Sequence, residues 1–453
     1  MPAGEYSTEL KRLFRLAAPL AAAQAGAQLM GIVDVAVLGR LGARELAASG
    51  LGNAIFFAVS ILGMGMVMGV DPLIAQAIGA GDRVRARHVL WQGLWLALVT
   101  SAVLTLLLLG ATAAIPLIGA QSELVDPARI FLLVRVAGLT PFLLFFVFRS
   151  YLQAQGLTRA LLVSMIGANI LNFLGDLLFV FGGSRLPAWT GLLRAVPPMG
   201  VGGAALATVI CTVLQLLVVA IPALRIEVAG HVDHRWNTPE ILRASSVGLP
   251  LGLQMGAEVG IFALVGVLAS RLGTMQLAAH QLTIGLASFT FTVALGVAAA
   301  GSVRVGNAIG ARDARATRVA GHAAFVAGAV VMGISGLAFA LFPRAITRLV
   351  TNQENVIAAA LPLMLVAAVF QLSDGIQAVG AGVLRGAADT RYAFVANLIG
   401  HWGVGLPVAL LLGFTFHLGI VGLWWGLCVG LTVVAVLLFL RFERLSRGEI
   451  QPI

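Results

Sequence analysis

The sequence predicts an all-α polytopic membrane protein, twelve transmembrane helices in two homologous six-helix bundles. Three observations carry this expectation. Of 453 residues, 59% are hydrophobic and only 11% charged, against about 25% charged in soluble domains. That deficit runs along the whole chain, which has a mean hydropathy of +0.98. Finally, the second half of the sequence repeats the first at a nearly constant offset.

The spans follow in order. A polar, amphipathic start, "MPAGEYSTELKRLFRL", precedes the first apolar run, which is too long for the hydrophobic region of a cleavable signal peptide. Apolar segments then lie at 14–39, 46–70, 89–119, 128–153, 160–182 and 199–224. The second set lies at 240–270, 276–303, 316–343, 355–384, 392–413 and 418–440. Each suffices to cross a hydrocarbon core of about 30 Å, which takes about 20 helical residues. The 54 glycines suit membrane helices that approach closely through small side chains.

Basic residues in the connections set the orientation. With the N-terminus inside, 20 of the 29 Lys and Arg fall on the cytoplasmic side, and the other 9, among them Arg40, Arg135 and Arg185, on the opposite side. Both termini are therefore expected in the cytoplasm.

The repeat is explicit. At an offset of 231, "RLG" at Arg40–Gly42 meets "RLG" at Arg271–Gly273, "AIGAGD" (Ala77–Asp82) meets "AIGARD" (Ala308–Asp313), and Pro19 meets Pro250. One residue further, the Arg ending "LTR" (Arg159) meets that of "DTR" (Arg391). Six spans per half is even, so the halves share one topology, related by a pseudo-twofold along the membrane normal with a central cavity. The expected domains are an N-terminal bundle at 1–224, a cytoplasmic linker at 225–239, and a C-terminal bundle at 240–453 ending in a short cytoplasmic tail.

Four acids fall well inside spans: Asp34 in the first, Asp176 in the fifth, Glu258 in the seventh and Asp374 in the tenth. A lone Asp at the centre of a membrane helix costs about 2.5–3.5 kcal/mol on insertion scales. No Lys lies in a span, and no Arg is expected to neutralise these four. Each acid taken alone also fits a bonded tie between helices. Together they give each bundle a pair that can converge on one small cation or hold one proton between two carboxylates. Asn172 precedes Asp176 by four, on the same helical face, and Thr208 supplies a hydroxyl from the sixth span. In the second half His280, Gln281 and Gln371 face the cavity or bond between helices. Phe370 and Phe289 line that cavity or pack as ordinary membrane phenylalanines.

Several function classes are excluded. The net charge of +10 comes in short clusters between apolar runs, a topology pattern rather than a nucleic-acid surface. Cys211 and Cys428 both lie inside spans, without CxxC or clustered His/Cys spacing, so no disulfide, zinc site or cofactor is expected. No Walker A, GxSxG or HExxH motif occurs, and Lys11 is the only lysine, so neither an enzyme nor an ATPase is indicated. Transport must draw on an ion gradient, where each charge crossing is worth about 2.3 kcal/mol per 100 mV. The competing reading is a lipid-linked headgroup flippase of similar architecture, which requires Arg or Lys inside the cavity to hold phosphates.

At "VDVAVLGRLG", "LAASGLGNAI", "AQAIGAGD", "GLPLGLQMGAEVGIFALV", "LAAHQLTIGLASFTF", "VRVGNAIGA" and "FQLSDGIQAVGAGVLRGAADTR" the chain resembles the multidrug and toxic compound extrusion (MATE) family over nearly its whole length. It is most similar to the NorM-type branch, in which an acid at Glu258 occurs together with one at Asp374. The resemblance implies a V-shaped antiporter of the bacterial inner membrane. Such a transporter exports varied, often cationic drugs in exchange for Na+ or H+, and acts as a monomer among membrane lipids. It places Glu258 and Asp374 at the C-lobe cation site, with Na+ as the candidate ion. Asp34, Asn172, Asp176 and Thr208 fall on the polar N-lobe cluster. Phe370 stands where some NorM-type members carry a tyrosine, which removes one cation ligand and leaves Na+ against H+ open.

Overall fold

The computed structural model describes residues 3–118, 121–184, 187–448 and 450–453; Arg185 lies outside the described residues. Each regular element among them is helical. The first half comprises α1 (Ala3–Leu38), α2 (Ala43–Val67), α3 (Val70–Gly79), α4 (Arg83–Ala114), α5 (Ser122–Val136), α6 (Leu139–Ala154), α7 (Arg159–Phe181) and α8 (Gly200–Arg225). The second comprises α9 (Thr238–Arg271), α10 (Thr274–Gly310), α11 (Ala314–Leu341), the short α12 (Pro343–Arg348), α13 (Glu354–Gly386), α14 (Thr390–Asn397), α15 (Leu406–Leu410) and α16 (Gly419–Leu445). Two π-helical stretches, Leu398–Gly405 and Leu411–Thr415, join α14 and α15 into one span, Thr390–Thr415.

Among the described residues, eleven helical stretches are long and apolar enough to cross a membrane. The fourth span of the sequence reading, 128–153, is a bent pair, α5 and α6, meeting at 43°, which brings the number to twelve. Gly138 stands at that bend, where an added Cβ would lie 3.1 Å from Val209 Cγ2 and 3.2 Å from the Arg135 carbonyl oxygen.

The repeat is written into the backbone as well. Gly42 (φ +151°) opens α2 as Gly273 (φ +121°) opens α10, 231 residues later. Gly81 (φ +77°) corresponds to Arg312 (φ +56°), and Gly156 (φ +75°) to Ala388 (φ +60°) at an offset of 232. The second half thus keeps a left-handed turn where it has lost the glycine that makes such a turn inexpensive; for other residues it costs roughly 1–2 kcal/mol. Ala388→Gly is expected to raise stability by about 0.5–1 kcal/mol, read as a higher unfolding midpoint in detergent. A lowered midpoint would count against strain at this turn.

The chain packs as two compact units. One comprises Ala25–Val70 and Arg83–Gly252, the other Met1–Gln24, Asp71–Asp82 and Leu253–Ile453. Helices α1 and α9 each contribute to both.

In the first unit α7 lies along α8, α2 on α5, and α4 on α6. An apolar cluster of Val37, Leu38, Phe131, Val180, Val201 and Ala204 ties α1, α5, α7 and α8 together. The segment between α8 and α9 is strapped along α4. Trp91 lies 4.4 Å from the His234 ring, and Arg87 Nη2 donates to the Ile226 carbonyl at 2.6 Å. Gln92 donates to the Arg235 carbonyl and accepts from the Asn237 N–H, both at 2.8 Å.

In the second unit α13 packs against α10, α11 and α16 around a core that includes Phe370 and Trp424. The α14–α15 span reaches α16 through glycine: an added Cβ at Gly426 would lie 2.3 Å from Ala409 Cα. The first turns of α1 join this unit through Glu9, which takes both hydrogen bonds of a bidentate pair with Arg304, at 2.6 and 2.7 Å.

Candidate functional site

Each half gathers acids and amides that the sequence scatters over separate spans. In the first unit, Asn172 and Asp176 lie one turn apart on α7, and both are fully buried. The amide of Asn172 bridges two acids. Its Nδ2 donates to Asp34 Oδ1 at 2.5 Å and to Asp176 Oδ2 at 3.1 Å. One amide nitrogen thus holds both carboxyl groups at a single point of the span. Asn172 Oδ1 and Asp176 Oδ1 are buried without partners. Thr208 on α8 donates to the Ala204 carbonyl at 3.0 Å and stands against Asp34.

The sequence reading expected no arginine near the buried acids, and here the structure differs. Arg135, counted above among the residues of the outer side, lies within the α5–α6 span, and its charge bears on Asp34. It entered that count as a loop residue although its position falls inside the apolar run at 128–153, and that position was the available signal.

In the second unit the acid of α9 meets two amides. Gln377 Nε2 of α13 and Asn397 Nδ2 of α14 both donate to Glu258 Oε2, at 3.3 and 3.4 Å. Asp374, one turn before Gln377 on α13, is 5% exposed. Gln377 Oε1 and Asn397 Oδ1 are buried with no donor. Neither amide was singled out from the sequence, although Gln377 shares the face of Asp374 by its spacing of three. Trp402 Nε1 donates to the Ala257 carbonyl at 3.1 Å, fastening the π-helical turn beside Glu258. Within that turn His401 is buried, with neither ring nitrogen partnered.

The other expected residues are distributed differently. His280 is buried and accepts from Trp424 Nε1 at 3.2 Å, while Phe370 packs 5.4 Å from the Trp424 ring and 6.2 Å from Phe262. Gln371 is buried and donates to Thr290. Gln281 is exposed, and Phe289 is 57% exposed. The structure therefore brings His280 and Phe370 together on Trp424 and leaves Gln281 and Phe289 open.

Chemically, each half presents two carboxyl groups with amide oxygens beside them. Among the described residues no group of three His, Cys, Asp or Glu side chains forms a metal-ligand set. What the sites offer is hard oxygen, from carboxylate and amide carbonyl, suited to a proton or a hard cation rather than to a thiophilic metal.

Comparison with known proteins agrees with this plan. The MatE family model matches residues 19–178 and 250–411, two copies beginning 231 residues apart. The multidrug resistance protein NorM of Aliivibrio fischeri is 32% identical over 459 residues, covering 98% of this chain and 96% of that protein. A probable NorM of Mesorhizobium japonicum is 34% identical with the same coverage, and MdtK of Yersinia pseudotuberculosis is 30% identical, covering 98% and 97%. A solved MATE in the straight conformation shares the fold with a TM-score of 0.86 at 23% identity, covering 97% of each chain. The eukaryotic MATE transporter AtDTX14 does so with a TM-score of 0.82 at 20% identity, covering 98% of each. With both repeats matched and relatives above 30% identity aligned over nearly its full length, the chain belongs to the MatE family, the multidrug and toxic compound extrusion transporters.

Proposed function

We propose that this protein is a secondary active antiporter of the bacterial inner membrane. It exports cationic and amphipathic small molecules in exchange for Na+ or H+ by alternating access, as a monomer with both termini in the cytoplasm. The observation that carries this reading is the second-half cluster. Gln377, one turn from Asp374 on α13, donates to Glu258, and two amide oxygens in the cluster have no donor. Among the described residues neither acid stands in an ion pair with an arginine. Two carboxylates so placed in a low-dielectric interior repel each other until a positive charge joins them. A proton, Na+ or the cationic group of a drug relieves the same repulsion, so their occupancies compete, and competition of this kind couples export of one to entry of another.

The names of the NorM and MdtK relatives support multidrug compounds as the cargo. Gln377 and Asn397 would hold Na+ together with the two acids through the oxygens that now lack donors. A proton needs only the carboxyls.

The test is dye efflux in proteoliposomes under a Na+ gradient or a proton gradient, each imposed alone, for wild type and Glu258→Gln. Uptake driven by one gradient and lost in the variant is the expected result. Uptake that survives in the variant moves the coupling site to Asp34 and Asp176. No transport under either gradient would overturn the antiporter reading and restore the headgroup flippase.

A further inference from the structure

The two acid clusters are not equivalent in charge. Phe131 and Val134 of α5 share one apolar cluster with Val33 and Val37 of α1. Arg135 follows Phe131 by four on α5 and Asp34 precedes Val37 by three on α1, so each stands one helical turn from that packed pair, on the same face as its partner in it. Its guanidinium lies 4.3 Å from the centroid of the Phe56 ring on α2, and its Nε is buried without a partner. Among the described residues Arg135 closes no ion pair, yet its charge reaches Asp34. The repeat does not duplicate it: an offset of 231 or 232 leads to Val366 or Ala367.

We propose that Arg135 is a resident counter-cation of the first-half site and sets its charge selectivity, so that this site accepts a single positive charge and rejects dications. The inference rests on the antiporter reading above. With both acids ionised, Asp34, Asp176 and Arg135 leave one net negative charge, whereas Glu258 and Asp374 leave two. The phenyl face of Phe56 supports the guanidinium by a cation–π contact, which keeps it from collapsing onto Asp34 and quenching the site. A monocation entering beside Asp34 meets a carboxylate pair with charge to spare. A dication meets the same pair and then the unscreened repulsion of Arg135, in surroundings where charge interactions are several-fold stronger than in water. Arg135 is in this sense a specificity-determining residue: it contributes no ligand atom to the proton or cation, and acts through its charge.

The test uses the purified full-length protein in detergent and two probes, tetraphenylphosphonium as monocation and methyl viologen as dication. Binding is measured by titration calorimetry for wild type, Arg135→Met, Arg135→Gln, Arg135→Lys and Asp34→Asn. Wild type is expected to prefer the monocation. Arg135→Met and Arg135→Gln are expected to narrow that preference by about tenfold, chiefly by tighter binding of the dication, and Arg135→Lys to retain it. Either neutral variant suffices if the other does not fold. An unchanged preference in the neutral variants, with binding still dependent on Asp34, overturns the role of Arg135 and leaves the antiporter reading standing. A shift in Arg135→Lys equal to that in the neutral variants also overturns it, because geometry rather than charge would then be the cause. Wild-type binding of neither probe, with Asp34→Asn indistinguishable, overturns the first-half cluster as a cation site and the role of Arg135 with it, whereas the antiporter reading falls only if neither gradient drives transport.

Discussion

Asp374→Asn is expected to lower gradient-driven export roughly a hundredfold or more while leaving the protein folded. The substitution keeps the size of the side chain and removes its charge. Asp374 is nearly fully buried on α13, one turn from the Gln377 that donates to Glu258, so its charge acts there with little screening. Two unit charges 4 Å apart interact by about 4 kcal/mol at an effective dielectric of 20. Even half of that, lost from cation binding, is about thirtyfold in affinity. Turnover needs the cation at each cycle and should fall further. The fold should tolerate the change because α13 is held by its apolar packing on α10, α11 and α16. Proteoliposome transport and the unfolding midpoint, read together, decide the matter. Normal export with an unchanged midpoint would remove Asp374 from the coupling site, and a collapse of the midpoint would make it a structural tie.

Much of this site was legible because buried acids are costly in a membrane. Asp34, Asp176, Glu258 and Asp374 stood out against apolar runs on charge alone, and Asn172 followed from its spacing. The twelve spans and the repeat were legible for a similar reason, since a bilayer demands long apolar helices and a duplication leaves a constant offset. The amides Gln377 and Asn397 were harder to see. An amide in a span is inexpensive enough to pass as a helix tie, and Asn397 meets Glu258 only through tertiary folding. The role of His280 and Phe370 turned on Trp424, a residue no motif singled out. The break between α5 and α6 was hard to see because bending leaves hydropathy unchanged, and only Gly138 and Pro141, two small interruptions in an apolar run, accompany it.

One regularity emerges when the halves are set side by side. In each, an acid on the first span is bonded by an asparagine on the fifth: Asp34 by Asn172, and Glu258 by Asn397. Yet the offset of 231 carries Asp34 to Val265, not to Glu258, and an offset of 232 carries Asn172 to Val404. The duplication therefore supplies the pair of neighbouring helices, and each half has its polar residues at a different depth on them. A scaffold that repeats, with sites that do not, gives one protein two carboxyl clusters of different net charge.

Arg304→Met is expected to cost about 3 kcal/mol of stability, the largest effect predicted away from the acid clusters. Glu9 is 8% exposed and receives both Nε and Nη2 of Arg304. Removing the arginine leaves a buried carboxylate whose nearest remaining cation, Arg12, stands 4.0 Å away, and orphaned buried charges of this kind cost about 3–5 kcal/mol. The neighbouring pair Arg315–Glu5 has an equally short contact, 2.7 Å, but its side chains are 64% and 52% exposed. There water replaces the lost partner, and Arg315→Met should cost about 0–1 kcal/mol. Distance alone predicts equal effects for the two pairs, whereas desolvation predicts a severalfold difference. The double variant Glu9→Gln with Arg304→Met should recover much of the loss, because it removes the orphaned charge together with its partner. Unfolding in detergent across this cycle measures the coupling directly. Equal losses at the two pairs, or no recovery in the double variant, would mean that the Glu9–Arg304 contact is solvated and that α1 is held to its unit by apolar packing alone.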